Sequence, residues 1–212
     1  MCSPRGTKKE LLNFVKVRRE IVVELIDMLN SKNIEDRMDA LWALYVLSKE
    51  LKPDNISLLR PAIGPLLNIL SSQNRWARDR AAKILANMVL RADFGGEILE
   101  EMLEWLDSSN RSRRLGALIF FGYYFLRRWD DDIGTKIIDR LKAFLKDKET
   151  RFDALLTLEA VVGSIPCGKA PPLKNLVPAL KELKESESPE IGRICIRILE
   201  AMAEKDRSLV VE

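Results

Sequence analysis

Apolar residues along this 212-residue chain recur at spacings of three and four positions, the period of an amphipathic helix. Alternating runs that would predict β-strands are absent from the sequence. Short segments rich in Asn, Ser, Asp, Gly or Pro interrupt the helical pattern, and such residues stop or cap helices. The pattern therefore predicts an all-α fold. The predicted breaks fall at 30–33, 52–55, 71–74, 93–96, 108–110, 130–132, 147–150, 163–172 and 186–189.

The predicted helices come in pairs, and the second helix of each pair repeats one pattern. An anchor position is followed by a small residue three positions later and by a large apolar residue seven positions later. The small residue lets a neighbouring helix approach closely, and the large one fills the layer between helices. The aligned segments are DRMDALWALYVL, ARDRAAKILANMV, SRRLGALIFFGYY, TRFDALLTLEAVV and IGRICIRILEAMA. Their anchors are Arg37, Arg78, Arg113, Arg151 and Gly192.

This repeated pattern resembles the HEAT-repeat family of HEAT-like and armadillo-type α-solenoids, whose second helices carry V-R-x-x-A-x-x-A-L at a similar period. Gly192 and Ser112 depart from the family pattern, at its arginine and valine positions. The resemblance implies one right-handed α–α superhelix over residues 1–212, with the second helices on its concave side. Thr7 and Glu10 form a capping box at the expected start of the first helix. The expected repeats are approximately 7–51, 56–92, 96–129, 131–165 and 171–205.

An aromatic stripe follows from this alignment. Positions one, five, eight and twelve after the anchor lie on one helix face. At positions five, eight and twelve the third repeat is apolar, where other repeats are often charged. Two interpretations remain open: an exposed patch that binds a partner protein, or a core surface covered by adjacent helices. The aromatic stripe consists of Trp42, Tyr45, Leu118, Phe121, Phe125 and Phe152.

Five arginines near the starts of two neighbouring second helices form another candidate site. The helix dipole disfavours positive charge at these positions, so each arginine needs a partner that offsets the cost. Acids such as Asp79, Glu104 and Asp107 could supply it within the stack, and an acidic partner or a nucleic-acid backbone could supply it from outside. The arginines are Arg75, Arg78, Arg111, Arg113 and Arg114.

Residues for catalysis or metal binding are scarce. The chain has no histidine, and its three cysteines are scattered, so we expect no catalytic, metal or cofactor site. The segment GSIPCGKA, residues 163–170, matches the skeleton of a phosphate-binding loop, but Ala170 stands where a magnesium-binding Ser or Thr belongs. We therefore interpret it as a linker between the fourth and fifth repeats. The acidic residues of 97–107 have no histidine to complete a metal site and predict a solvated face.

The remaining composition places the chain in the cytoplasm. No segment resembles a signal peptide, and the uncharged run 115–126 is too short to span a membrane. Unpaired cysteines fit a reducing compartment, and a single glutamine with high charge density indicates a thermophile. We expect a non-enzymatic protein-interaction scaffold that uses the concave helix face. Its partner and oligomeric state are not fixed by the sequence.

The alternative is a nucleic-acid-binding HEAT-like module that uses the arginine-rich edge of the second and third repeats. HEAT-like DNA glycosylases rely on a basic groove with Trp and Asp, and the four tryptophans keep this alternative open. The net charge of +3 is close to neutral, so we expect only weak nucleic-acid binding.

Overall fold

The computed structural model describes residues 19–185 and 188–210. Within these ranges the chain consists of α-helices, short 3₁₀-helices and the turns between them, which confirms the all-α prediction. The chain divides into two compact units, Met1–Phe120 and Phe121–Glu212. The capping box expected at Thr7 and Glu10 lies outside the described residues.

The first unit is built from helix pairs in which the second helices lie side by side. Helix α1 packs on α2, α4 packs on α5, and α2 packs on α5. Pro61 breaks the first helix of the second pair into short segments, because proline lacks the N–H that a regular helix turn needs. The elements are α1 Arg19–Leu29, α2 Ile34–Glu50, α3 Pro53–Ile56, a 3₁₀-helix Ser57–Ala62, α4 Ile63–Leu70, α5 Arg75–Val89, α6 Gly95–Leu106 and the first part of α7 Arg111–Phe125.

The second unit repeats the same arrangement. Helix α8 packs on α9, α10 packs on α11, and α9 packs on α11. The Asp130 carboxylate accepts a hydrogen bond of 3.1 Å from the amide of Ile133 and so caps α8, in agreement with the break predicted at 130–132. The elements after α7 are α8 Asp131–Lys146, α9 Arg151–Ser164, 3₁₀-helices Cys167–Lys169 and Pro171–Leu176, α10 Val177–Lys184, α11 Pro189–Lys205 and a 3₁₀-helix Arg207–Leu209.

The alternation of small and large residues in the second helices forms the core. Ala40 and Leu44 in α2 are fully buried, and so are Ala81 and Leu85 in α5. Gly116 in α7 serves close approach: a Cβ atom there would lie 2.8 Å from the carbonyl oxygen of Leu70. These contacts agree with the packing role that the repeated pattern predicts.

A buried polar network joins α2 and α5. The side-chain amide of Asn87 donates a hydrogen bond of 2.8 Å to the Ser48 hydroxyl, and both side chains are fully buried. Arg91, just beyond α5, donates to the carbonyl oxygens of Ser48 and Leu51. These bonds satisfy carbonyl groups at the end of α2 that have no partner within the helix. The network therefore ties the first two repeats together through the C-terminus of α2.

Candidate functional site

Four second helices share the same device, an Asn or Asp followed four residues later by an arginine. In the first three, the Asn side chain accepts a hydrogen bond of 2.9–3.1 Å from a backbone N–H of the first helical turn, whereas Asp147 accepts one of 3.0 Å from the Glu149 amide in the turn before α9. Such a bond satisfies one of the free N–H groups at a helix start. The pairs are Asn33 with Arg37, Asn74 with Arg78, Asn110 with Arg114, and Asp147 with Arg151.

Arginines of this device bind the end of the preceding helix. Arg37 donates to the carbonyl oxygen of Ser31 at 2.9 Å. Arg114 donates to the carbonyl oxygens of Ser108 and Ser109 at 2.9 and 3.0 Å. Backbone carbonyls at a helix C-terminus attract positive charge, so they offset the unfavourable position of each arginine in its own helix. For the arginine cluster the sequence interpretation considers acidic side chains in this role, and at Arg114 backbone carbonyls fill it.

The same contact occurs in the second unit. Arg151 donates from Nε to the carbonyl oxygen of Leu145 at 2.9 Å and from a terminal nitrogen to that of Lys146 at 3.1 Å. In all three cases the first acceptor lies six residues before the arginine. These arginines therefore stabilise the connection between the two helices of a pair and do not serve as contacts for a partner protein.

Replacing Arg114 by methionine should destabilise the protein by about 1–2 kcal/mol, because two charge-assisted hydrogen bonds to backbone carbonyls are lost. Arg113→Met is the matched control, since Arg113 is exposed and packs over the Trp105 ring at 5.4 Å. We expect the control to lower the free energy of unfolding by less than about 0.5 kcal/mol, as most surface substitutions do. Urea unfolding of the two variants measures the difference, and equal losses would contradict the assignment of Arg114 to the helix corner.

The device corrects the alignment of the third repeat by one residue. Its anchor is Arg114, four residues after the Asn110 cap, and not Arg113. One residue rotates the assigned helix face by about 100°, which exchanges core and solvent positions. Phe121 then occupies the place that Leu44 and Leu85 hold in the first two repeats, and all three are fully buried.

The prediction of an exposed aromatic patch is therefore wrong for three residues of the aromatic stripe. Leu118 is 1% exposed, and Phe121 and Phe125 are fully buried. The Phe125 ring contacts the Trp129 ring, with 5.6 Å between centroids. Close packing of this kind leaves no surface for a partner, so these side chains belong to the core.

The other three residues of the aromatic stripe reach the surface. Trp42 is 39% exposed, and Tyr45 and Phe152 are half-buried. Trp42 and Tyr45 lie on α2 in the first unit, whereas Phe152 lies on α9 in the second. The structure therefore brings only Trp42 and Tyr45 together, on one helix.

A larger apolar surface surrounds these two residues in the first unit. On α2, exposed apolar side chains follow one another at helical spacing, and Trp76 on the adjacent α5 extends the same surface. Ile34 is 52% exposed, Met38 43% and Trp76 41%. The candidate residues chosen from the sequence did not include Ile34, Met38 or Trp76, although Met38 lies one position after the anchor Arg37, on the face of the aromatic stripe. The Trp42–Trp76 surface consists of Ile34, Met38, Trp42, Tyr45, Trp76 and Arg80.

A groove opens beside this surface, among α2, α4 and α5. Its volume is about 360 Å³, within the range of pockets that hold small groups. Its apolar lining includes Ile34, Met38, Leu41, Ile69 and Trp76. The groove therefore continues the exposed apolar residues into a concave space.

Positive charge lies at the other end of the Trp42–Trp76 surface. The Arg80 guanidinium lies 4.7 Å from the centroid of the Tyr45 ring and 5.5 Å from that of Trp76. The Lys49 ammonium lies 5.5 Å from the Tyr45 centroid. One ion pair lies nearby, between Lys83 and Asp79 at 2.8 Å. Cation–π contacts of this kind hold a cation in place over an aromatic face.

The arginine cluster is only partly available to a partner. Arg75, Arg111 and Arg113 are exposed, whereas Arg78 is buried and Arg114 donates to backbone carbonyls. A hydrogen bond of 3.3 Å from Gln73 to Ser112 joins the starts of α5 and α7. The three exposed arginines therefore lie at neighbouring helix starts in the first unit.

The lysine of the phosphate-loop-like segment has an acidic partner in the second unit. Lys169 donates to one oxygen of the Asp131 carboxylate, and the Trp129 indole N–H donates to the other at 2.6 Å. The hydrogen bond from Lys169, followed by that from Trp129, lowers the pKa of Asp131. The stabilisation from this carboxylate is present above its ordinary pKa near 4 and is lost as the pH falls through the lowered value.

In the part of the chain that the structure describes, none of the helices is both long enough and apolar enough to cross a membrane. Within the same residues, no three Cys, Asp or Glu side chains are grouped as ligands of a metal ion.

Comparisons with known proteins identify the fold. No protein-family model matches the sequence, and no curated protein matches it. Among solved structures, an archaeal HEAT-like repeats protein from Thermococcus onnurineus NA1 is 16% identical with a TM-score of 0.59, covering 98% of this chain and 77% of that one. An engineered protein is 18% identical with a TM-score of 0.53, covering 93% and 89%.

A structure from the TOG domain array of crescerin is 17% identical with a TM-score of 0.53, covering 88% of this chain and 74% of that one. At these identities the likeness concerns the fold and not the activity. Together with the all-α helix pairs, these similarities show that the chain has the fold of the HEAT-like repeat α-solenoids.

Proposed function

We propose that this protein is a non-enzymatic protein-interaction scaffold of the cytoplasm, and that the Trp42–Trp76 surface binds its partner. One observation carries the proposal: four large apolar side chains, each 39–52% exposed, lie on two adjacent second helices. Contiguous exposed apolar side chains commonly mark interaction sites, and aromatic residues and methionine are enriched at protein interfaces. The adjacent groove adds concave surface for an inserted side chain.

The test is affinity capture from source cells, with the full chain as bait and with nuclease added to remove nucleic-acid bridges. We expect Trp42→Ala to lose a partner protein that the wild-type chain retains, because truncating a central aromatic residue typically costs about 2 kcal/mol or more at an interface. Mass spectrometry identifies the proteins that are lost.

Leu156→Ala is the matched control, since Leu156 is 39% exposed like Trp42 but lies on α9 in the second unit. This variant should keep the partner. If the Trp42→Ala variant still captured every protein that the wild-type chain captures, the proposed binding surface would be wrong.

Nucleic-acid binding is the second candidate function. It is favoured by the exposed Arg75, Arg111 and Arg113, which lie at helix starts joined by the bond between Gln73 and Ser112. Three exposed arginines would release few counterions, and the net charge of +3 adds little attraction. The proposed binding is therefore weak and independent of base sequence.

For this candidate we expect a duplex DNA to bind with a dissociation constant no tighter than about 1 µM at physiological salt, the range of nonspecific contacts. A salt titration followed by fluorescence anisotropy measures the affinity and its log–log slope. Sub-micromolar binding that Arg111→Glu or Arg113→Glu weakens severalfold, in a folded protein, would favour the nucleic-acid function over the scaffold.

A further inference from the structure

The Trp42–Trp76 surface combines apolar contact area with a positively charged group, Arg80, that forms no ion pair with the residues described by the structure. The Arg80 guanidinium lies near the Tyr45 and Trp76 rings, at 4.7 and 5.5 Å from their centroids. Its Nε atom is buried and has no hydrogen-bond partner among the described residues.

A second cation increases this charge. Lys49 and Arg80 both lie over the Tyr45 ring, and within the described ranges neither forms an ion pair. The nearest charged neighbours on α5 neutralise each other, since Asp79 pairs with Lys83 at 2.8 Å. Two cations near one ring repel each other, and a carboxylate bound at this surface would be attracted to both.

From this arrangement we propose that the surface binds a peptide segment of a partner protein in which an acidic side chain stands next to an apolar one. The carboxylate would bind Arg80, with Lys49 adding positive charge nearby, and the apolar side chain would enter the groove lined by Met38 and Trp76. Trp76 contacts both places, because it lines the groove and lies beside Arg80. The inference rests on the proposed protein-binding function of the same surface and specifies the chemistry of its partner.

Arginine suits this role better than lysine would. Its planar group offers parallel N–H donors that match the two oxygens of a carboxylate, and stacking on aromatic rings holds that plane in advance of binding. Arg80 is half-buried, so bound water competes less with an incoming carboxylate than at a fully exposed arginine. Apolar contact in the groove then adds affinity that a carboxylate alone would lack.

The test begins with selection of random displayed peptides on the purified full-length chain. Selected peptides are synthesised with a fluorescent label, and their affinities are measured by anisotropy. We expect enrichment of Asp or Glu beside Leu, Ile, Phe or Trp. Replacing the acid of such a peptide by its amide should weaken binding about ten-fold or more, the usual effect of losing a charge-assisted contact at an interface.

Variants of the protein test the two halves of the site separately. Arg80→Gln should lower the affinity for the acidic peptides by about ten-fold or more. Arg80→Lys should cause an intermediate loss of affinity, because lysine keeps the charge but lacks the planar guanidinium group. Met38→Ser should also weaken binding of these peptides, because it replaces an apolar side chain of the groove by a polar one. Arg193→Gln is the control, since Arg193 is an exposed arginine on α11 in the second unit. This variant should bind the acidic peptides with the affinity of the wild-type protein. Thermal melting verifies that each variant is folded, and Lys49→Gln replaces Arg80→Gln if the latter is not.

Several results would overturn the inference. These are selection of peptides without acidic residues, failure to select any peptide, and equal binding of acidic peptides to wild-type and Arg80→Gln proteins. If binding responds to Met38→Ser but not to Arg80→Gln, the carboxylate site is wrong and the protein-binding surface stands. If binding responds to neither variant, both the inference and the proposed binding surface fail.

Discussion

Phe121→Ala should lower the free energy of unfolding by about 3–5 kcal/mol, the range observed when a buried phenylalanine is truncated in a close-packed core. Phe121 is fully buried, and its ring centroid lies 6.3 Å from that of Phe125. The substitution leaves a cavity whose lining loses contacts that the surrounding helices recover only in part. Urea unfolding measures the loss, and the melting temperature should fall by roughly 10 °C for a chain of this size.

Leu126→Ala is the control for this change. Leu126 follows α7 directly and is 66% exposed, so its truncation removes few contacts. We expect a change within about 0.5 kcal/mol. If Phe121→Ala were as stable as the control, the assignment of Phe121 to the core would be refuted and an exposed position on α7 restored.

Gly116→Ala should destabilise the first unit by about 1–3 kcal/mol through overpacking. The added Cβ atom would lie 2.8 Å from the Leu70 carbonyl oxygen and 2.9 Å from its Cγ atom. A backbone oxygen cannot move aside as a flexible side chain does, so α7 would have to shift away from α4. The usual gain of about 1 kcal/mol from replacing glycine in a helix offsets only part of this cost.

Gly96→Ala separates the two effects. Gly96 lies in the first turn of α6 in the same unit, and an added Cβ atom would meet no atom within 4 Å. We expect this variant to be neutral or up to about 1 kcal/mol more stable than the wild-type chain. The melting temperature should therefore fall for Gly116→Ala and stay the same or rise for Gly96→Ala. A rise in both would show that α4 and α7 are not in close contact.

Much of the fold could be predicted from the sequence because helix signals are local. Apolar spacing and the Asn, Asp and Pro residues at the breaks depend on neighbours a few positions away. They place four of the five aligned second-helix segments within an observed helix, and the fourth segment begins one residue before α9, at Thr150. Asp130 is an example, since it lies in the break predicted at 130–132 and caps α8 through the Ile133 amide. The division of the chain into repeats between residues 7 and 205 remains a prediction.

The candidate site was harder to predict, because exposure depends on which residues of different helices face one another. An alignment anchored on Arg113 placed Phe121 on the solvent side, whereas the Asn110 cap fixes Arg114 as the anchor. That signal was present in the sequence as Asn or Asp four residues before arginine. Trp76 gave no such signal, since it lies outside the aligned stripe and its role follows from contact with Arg80.

The arginine contacts at the helix corners also determine how the fold responds to acid. A guanidinium group stays protonated below about pH 12, and a backbone carbonyl does not titrate. The bonds from Arg37, Arg114 and Arg151 to the preceding helix ends therefore persist at every pH at which carboxylates change charge. Acidification instead removes contacts such as Lys169 with Asp131. As the pH falls, we therefore expect the arginine bonds at the helix corners to outlast the contacts between carboxylates and lysines.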